Sequence, residues 1–444
     1  MSEIEELLSS YRLGARTPEG VLDECLHAIA NSTSNSFINV NREHALAMAR
    51  AIRAPSHPVE PRPLAGVPIA VKDLIDVAGF PTTMGAEHGD GEIVQNDAPA
   101  VALLRKSGAI LLGKTNTHQF AYGATGDRSA SGPVLNPHDP SRITGGSSSG
   151  SAAAVAEGLC YGALGTDTSG SIRLPAALCG VVGMKPTYDL ISKNGVYPLS
   201  PSLDHVGPIT KTVKDNALLL EVLAGRASGT YTSSLETPLH GTRIGIISGF
   251  YDEYLDDQVR SAIARAQRAL VDAGAQIIQL QLPEIWEIYN AQQAVLKFEA
   301  LSQHAAKINA GAPYDPEVRA RLLAGAVVSA NERRNALDKK PWAKNAFDNL
   351  FQSVDAMVTP TCGVPAPYQN ERLTTISGHS VPTPWLLTRL TAPTNFTGHP
   401  SLSVPFGRAR HLPIGMQVIG AHHAESKIYQ IARVLEQSSL EEKA

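Results

Sequence analysis

Apolar and polar positions alternate along this chain with two rhythms, and each rhythm predicts its own kind of element. Over the first fifty residues the period is helical. Val21, Leu22, Cys25 and Ile29 follow Thr17 as an N-cap, Pro18 at the first helical position and Glu19 in the first turn. An Ala-rich run over residues 42–52 predicts a second helix, and residues 54–63, with four prolines, predict a loop. From Leu64 the rhythm changes to short apolar runs separated by Gly-rich turns. Val67-Pro68-Ile69-Ala70-Val71 reads as a strand with Lys72-Asp73 at its end, residues 100–106 as a helix and residues 109–114 as the next strand. A Ser/Gly loop over residues 144–151 runs into the helix start Ala152-Ala153-Ala154-Val155-Ala156, and Ala163-Leu164-Gly165-Thr166-Asp167 ends another strand.

Beyond Gly225 the alternation continues, with strands over residues 243–247 and 276–282 on either side of a helix over 257–274. Residues 283–350 are mostly helical and polar. Late strands are expected over 356–360, 401–405 and 416–420, and a last helix from Ala424. Such alternation predicts α/β architecture around a mixed or parallel sheet. No internal repeat or linker divides the chain. One domain over 1–444 is therefore expected, with an N-terminal helical segment over 1–60, a core over 64–225 and a variable half over 226–444.

Composition then narrows the partners. Of 444 residues, 43% are hydrophobic and 18% charged, which is globular and leaves apolar mass for a sizeable core. Lys and Arg number 38 against 42 Asp and Glu, so a net charge of −4 gives no reason to expect nucleic acid or an anionic membrane. Aromatics at 5% offer no base-stacking platform. Cys25, Cys160, Cys179 and Cys362 form no CxxC pair and no Cys/His cluster of zinc spacing, so they read as buried or incidental thiols in a reducing cytosol. The acidic start Met1-Ser2-Glu3-Ile4-Glu5-Glu6 lacks the basic and apolar regions of a signal peptide. No apolar run reaches the about 18 residues of a membrane span. A soluble, cytoplasmic protein is expected.

Three features stand apart from the scaffold: Gly145-Gly146-Ser147-Ser148-Ser149-Gly150-Ser151, Gly165-Thr166-Asp167-Thr168-Ser169-Gly170-Ser171-Ile172-Arg173, and Lys72 at a strand end. Singly each is ordinary. The first loop lacks the GK[ST] ending of a P-loop and the GxGxxG spacing of a dinucleotide fold. Together they supply what a serine nucleophile needs. A hydroxyl must lose its proton to a base, and a lysine kept neutral by burial serves where no histidine does. The turn over residues 168–171 can aim several backbone N–H groups at one point, as an oxyanion hole requires.

At these residues the chain resembles the amidase signature family. The resemblance rests on PLAGVPIAVKDLIDVAG (63–79), GKTNTHQFAYG (113–123), NPHDPSRITGGSSSGSAAAVAEG (136–158), GTDTSGSIRLPAALCGVVGMKPT (165–187) and SLDHVGPITKT (202–212). Weaker matches reappear over 355–361 and 390–420. It implies a large twisted mixed β-sheet covered on both sides by helices. It also implies a Ser–cis-Ser–Lys triad, with Ser171 the nucleophile, Ser147 the bridging serine and Lys72 the base. The oxyanion hole falls on the backbone N–H groups of Thr168, Ser169, Gly170 and Ser171, supported by Ser148, Asp167 and Arg173. The implied reaction is hydrolysis of a carboxylic acid amide, with ammonia or an amine released, through an acyl-enzyme on Ser171. No organic or metal cofactor is implied. The implied partner is a small-molecule amide, and a homodimer is compatible with the resemblance.

Departures from the family pattern matter. Ser149 and Ser169 stand where glycines are common, and either would be strained if its φ had to be positive. Serine at the first position also occurs in allophanate hydrolases, but Ile172 interrupts the GSGR match expected there, and Thr144 replaces a common proline. His118 and Tyr122 are candidate pocket residues. Asp204-His205 has the look of a catalytic pair and is read as structural. The main alternatives are the glutaminase (A) subunit of a tRNA-dependent amidotransferase, which channels ammonia to a partner, and an allophanate-hydrolase-like urea-derivative amidase. Residues 283–392 are not expected to match that glutaminase. A non-catalytic binding protein is disfavoured by the intact Ser171, Ser147 and Lys72.

Overall fold

The computed structural model describes residues 2–53, 62–87 and 91–441. Most of the proline-rich loop expected over 54–63 lies outside them. The helical rhythm of the N-terminus gives helices Glu3–Arg12, Pro18–Asn31 and Arg42–Arg53. The Thr17 hydroxyl accepts the Gly20 N–H at 3.1 Å and Pro18 begins the second helix, as the capping residues dictate. Between the second and third helices, Phe37–Val40 is a strand rather than part of a helical run. Its backbone pairs with Ile110–Thr115 and covers one edge of the main sheet.

That sheet has eleven strands among the described residues. In spatial order it begins Phe37–Val40, Ile110–Thr115, Pro68–Lys72, Gly162–Asp167, His205–Thr210 and Val182–Lys185. It continues with Ser401–Ala409, Leu412–Gly420, Ala356–Pro360, Arg243–Ile247 and Gln276–Leu280. Pro68–Lys72 runs parallel to both its neighbours, whereas the central strands from Gly162–Asp167 to Ala356–Pro360 pair antiparallel. The sheet is therefore mixed, and strands from both sides of residue 225 complete it.

The glycines in its strands show which helices cover each face. A Cβ on Gly162 would meet Leu219, and one on Gly165 would meet Ser148 and Ile172. Likewise Gly420 faces Ile428 while Gly415 faces Ala177. Positions an odd number of residues apart on a strand point to opposite faces. Helices Val213–Leu223 and Glu425–Glu441 thus cover one side, and Ser149–Ala156 and Arg173–Cys179 the other. Helices Ser149–Ala156 and Arg173–Cys179 are buried nearly all round, whereas Asp257–Asp272 is amphipathic. In Asp257–Asp272 the buried residues are Val259, Ala262, Ala266 and Leu270, and the Asp256 side chain caps the Gln258 N–H at 2.8 Å. Burying a side chain such as Leu270 stabilises by roughly 1.5–3 kcal/mol, so Leu270→Asp would detach this helix.

Candidate active site

The two helices on the second face bring the Ser/Gly loops to the end of the central parallel strand. Lys72 closes the fully buried strand Pro68–Lys72. Its Nζ lies 2.7 Å from the Ser147 Oγ and 2.8 Å from the Thr166 Oγ1. Ser147 follows a cis peptide from Gly146, and its carbonyl accepts the His118 N–H at 3.2 Å and the Thr117 hydroxyl at 3.0 Å. The Ser171 carbonyl accepts the Ser148 N–H at 3.1 Å, which ties the second turn to the first. The Ser171 Oγ has no hydrogen-bond partner among the described residues, and the residue keeps 8% of its surface open.

Residues 168–171 make a turn that only glycine permits at one point. Gly170 has φ +124°, and a Cβ there would collide with the Thr391 Oγ1. Ile172, just beyond, is fully buried over Gly165, Gly183 and Gly207 of three adjacent strands, which explains both the isoleucine and the glycines. The turn is pinned from four directions. Asp204 accepts the Thr168 hydroxyl at 2.6 Å, and Gln292 donates to the Ser169 Oγ at 2.7 Å. Thr391 donates to the Ser169 carbonyl at 2.5 Å, and Asp167 accepts the Gly170 N–H at 2.7 Å.

Electrostatics follow from burial. Lys72 is wholly enclosed, and desolvation of its ammonium lowers its pKa from 10.5 to about 7 against the pull of Asp167 and Asp204. An appreciable neutral fraction is therefore present at neutral pH. Burial alone would raise the Asp167 carboxyl, but the Arg173 guanidinium at 2.9 Å, with Lys185 and Asn395, holds it far below the ordinary carboxylate range. Asp204 has no such cation in contact, and burial lifts it to about 6 despite its hydrogen bonds to Thr168, Ser200 and Leu199.

The family model described as Amidase matches residues 20–428. The chain belongs to the amidase family. The A subunit of glutamyl-tRNA(Gln) amidotransferase from Koribacter versatilis (strain Ellin345) is 35% identical to it, over 90% of this chain and 90% of that protein. Among solved structures, one comes from a vestigial protein complex that reveals the evolutionary origins of an s-triazine catabolic enzyme, determined with an inhibitor bound. It superposes with TM-score 0.92 at 30% identity, over 98% of both chains. The corresponding glutamyl-tRNA(Gln) amidotransferase A subunit from Thermotoga maritima superposes with TM-score 0.79 at 32% identity, over 95% of this chain and 92% of that one. Like its relatives, this amidase is an enzyme for amide C–N bonds. Two expectations change. A match over 90% of the chain leaves out fewer residues than 283–392 contains, so it must run into that stretch. A relative named as a subunit of glutamyl-tRNA(Gln) amidotransferase, and a neighbour from a protein complex, also reopen tRNA, which charge balance alone had set aside, and keep partner chains open.

Other sequence expectations can now be located on this amidase. Ser149 and Ser169 both avoid positive φ, so neither is strained. Ser169 instead gives Gln292 an acceptor that glycine could not. Ser148 accepts the Thr166 N–H and donates to its carbonyl, each at 3.2 Å. Of the four N–H groups expected to form an oxyanion hole, one already has an acceptor. The Gly170 N–H is taken by Asp167, leaving the N–H groups of Thr168, Ser169 and Ser171 without an acceptor among the described residues. Asp204 and His205 do not bond each other. His205 Nδ1 lies 2.7 Å from the Leu203 carbonyl, and its Nε2 3.3 Å from the Lys185 Nζ. His118 is buried against Gly123, burial lowers its pKa to about 3, and its Nδ1 has no partner among the described residues. Tyr122 is buried under the Arg321 guanidinium, which lies 4.9 Å from its ring centre.

Sequence reasoning missed Thr166, Gln292, Arg321, Thr391, Thr394, Asn395 and Gln417. Arg173 donates to Thr394 at 2.8 Å, Gln417 at 2.6 Å and Asn395 at 2.7 Å. The weaker family match over 390–420 was the signal for four of these, Thr391, Thr394, Asn395 and Gln417. Arg321 had none. Its guanidinium pairs with no carboxylate among the described residues, and it stands above the turn that contacts Ser147.

Proposed function

We propose that Ser171 attacks the carbonyl carbon of a carboxamide, with Ser147 relaying its proton to Lys72. The observation that carries this reading is the 2.7 Å contact between Ser147 and a buried lysine whose pKa, lowered to about 7, leaves an appreciable fraction of neutral amine at neutral pH. Lys72 accepts the Ser147 proton while its own N–H bonds Thr166, and Ser147 accepts the proton of Ser171. The new C–O bond makes a tetrahedral oxyanion, met by the N–H groups of Thr168, Ser169 and Ser171. As the C–N bond breaks, the proton returns through Ser147 to the leaving nitrogen, which departs as ammonia or an amine. Water then cleaves the Ser171 ester by the same route.

We infer further that the amide is the side-chain amide of glutamine, and that the chain works in the cytoplasm as the glutaminase component of a tRNA-dependent amidotransferase. The relatives with that name favour this over a free-standing amidase. Arg321, which meets Tyr122 but no carboxylate among the described residues, suits a substrate that carries a carboxylate. The higher TM-score to the s-triazine-related protein favours a second reading, hydrolysis of a small amide connected with s-triazine catabolism. Ammonia release from glutamine and from a panel of aliphatic, aryl and anilide amides, with the chain alone and with partner subunits, separates the two. Activity that survives in Ser171→Ala would overturn the mechanism under either reading.

A further inference from the structure

We propose that Asp348, His399 and His422 form a divalent-cation site of the zinc type, separate from the Lys72–Ser147–Ser171 cluster. The site would fasten helix Lys340–Leu350 to the segments around residues 397–399 and 422. One ligand atom from each residue lies within 4.8 Å of the others, a convergence no other three His, Cys, Asp or Glu make among the described residues. His399 Nε2 is 3.0 Å from Asp348 Oδ1, and the two imidazole centres are 4.2 Å apart. Zinc bonds to N and O ligands at about 2.0–2.2 Å place tetrahedral neighbours roughly 3.3 Å apart. Closing the site therefore asks for small side-chain movements only.

The hydrogen bonds of the ring nitrogens to Thr397 make the stronger argument. His422 Nε2 lies 3.2 Å from the Thr397 carbonyl. A carbonyl only accepts, so this nitrogen carries the proton and Nδ1 keeps its lone pair. His399 Nδ1 lies 2.9 Å from the Thr397 hydroxyl. One threonine thus orients both rings, through its carbonyl and its hydroxyl, in the way metal-binding imidazoles are held by their second nitrogen. Two imidazoles and one carboxylate favour zinc over magnesium or calcium, which take oxygen ligands. His399 is buried, whereas Asp348 and His422 are half-buried and leave an entry path. Lys344 holds the other Asp348 oxygen at 2.5 Å, and its half-exposed side chain can swing into water as the cation arrives. The three ligands come from separated stretches, which is why no zinc spacing shows in the sequence.

Equilibrium dialysis of tag-free, chelator-treated protein against Zn2+, with metal content and thermal melting read together, tests the site. One Zn2+ per chain is expected, with Tm rising on loading. Asp348→Asn and His422→Gln, at half-buried positions, should each weaken binding by ~10-fold or more and abolish the rise in Tm. Their metal-free melting curves report whether they fold. Absence of saturable zinc on the parent chain, or binding that persists unchanged in a folded variant, would overturn the proposal.

Discussion

Replacing Lys72 by methionine separates chemistry from stability. The difference between 10.5 and about 7, at about 1.36 kcal/mol per pH unit, makes the buried ammonium about 5 kcal/mol less favourable inside than in the unfolded chain. The folded pKa is the lower one, so the unfolded chain binds more protons between pH 7 and 10.5. The penalty is full below pH 7 and fades as pH rises towards 10.5. At pH 7 about 4 kcal/mol of it acts, and at pH 10 under about 1 kcal/mol. Methionine escapes the penalty but strips Ser147 and Thr166 of a partner, at a cost of about 1–3 kcal/mol for each hydroxyl left unsatisfied. Whatever the net sign at pH 7, the stability of Lys72→Met relative to the parent should fall by about 3–4 kcal/mol from pH 7 to pH 10. For 444 residues that is about 4 °C in relative Tm, readable by scanning calorimetry. Turnover, followed as ammonia release, should drop by about 10³-fold or more. A pH-independent Tm difference, or turnover within about tenfold of the parent, would refute the neutral-lysine argument.

The same lysine sets the pH profile: kcat/KM should rise through an apparent pKa near 7 as Lys72 loses its proton, and a rate flat from pH 6 to 9 would contradict that. Gly170→Ala forces a Cβ into the Thr391 Oγ1 at a φ of +124°, so activity should fall by about 10²-fold or more, as steady-state assay will show. Arg321→Met should raise KM for a carboxylate-bearing amide by about 10–100-fold while sparing neutral amides, and equal losses on both would remove Arg321 from substrate recognition.

Much of the proposed site was legible because its candidate reactive residues sit where local sequence changes character. Lys72 ends an unbroken apolar strand, Ser147 opens an alanine helix, and Ser171 ends a turn of small residues. Strands Val182–Lys185 and His205–Thr210 were not legible. They are fully buried and so show no alternation, and Gly183, Gly207 and Pro208 dilute the β-branched signal. Phe37–Val40 was absorbed into the helical rhythm around it because a four-residue edge strand is too short to impose its own. Gln292, Thr391 and Arg321 escaped for a different reason: each matters only through a contact more than a hundred residues away in the chain. No local pattern encodes such a contact.

The Asp167–Arg173 pair shows how those distant residues bear on the chemistry. Asp167 holds the Gly170 and Ile172 N–H groups, while Arg173 reaches Thr394, Asn395 and Gln417 in the other half of the chain. One buried charge pair therefore couples the shape of the turn over residues 168–171 to helix Ala392–Thr397 and strand Leu412–Gly420. A buried ion pair is no guarantee of net stability, because desolvation offsets its attraction, but losing one member leaves the other charge stranded. Arg173→Met should thus destabilise by about 3–5 kcal/mol, by unpairing Asp167 in a dry site. Asp167→Asn combined with Arg173→Met removes the stranded charge and should recover much of that loss. It should not recover turnover, because an amide cannot hold the Gly170 and Ile172 N–H groups as the carboxylate does. Chemical denaturation of the two single variants and the double variant reads the coupling, and ammonia release reads the turn. Additive stability losses, or a double variant with parental turnover, would mean that this pair is incidental to the site.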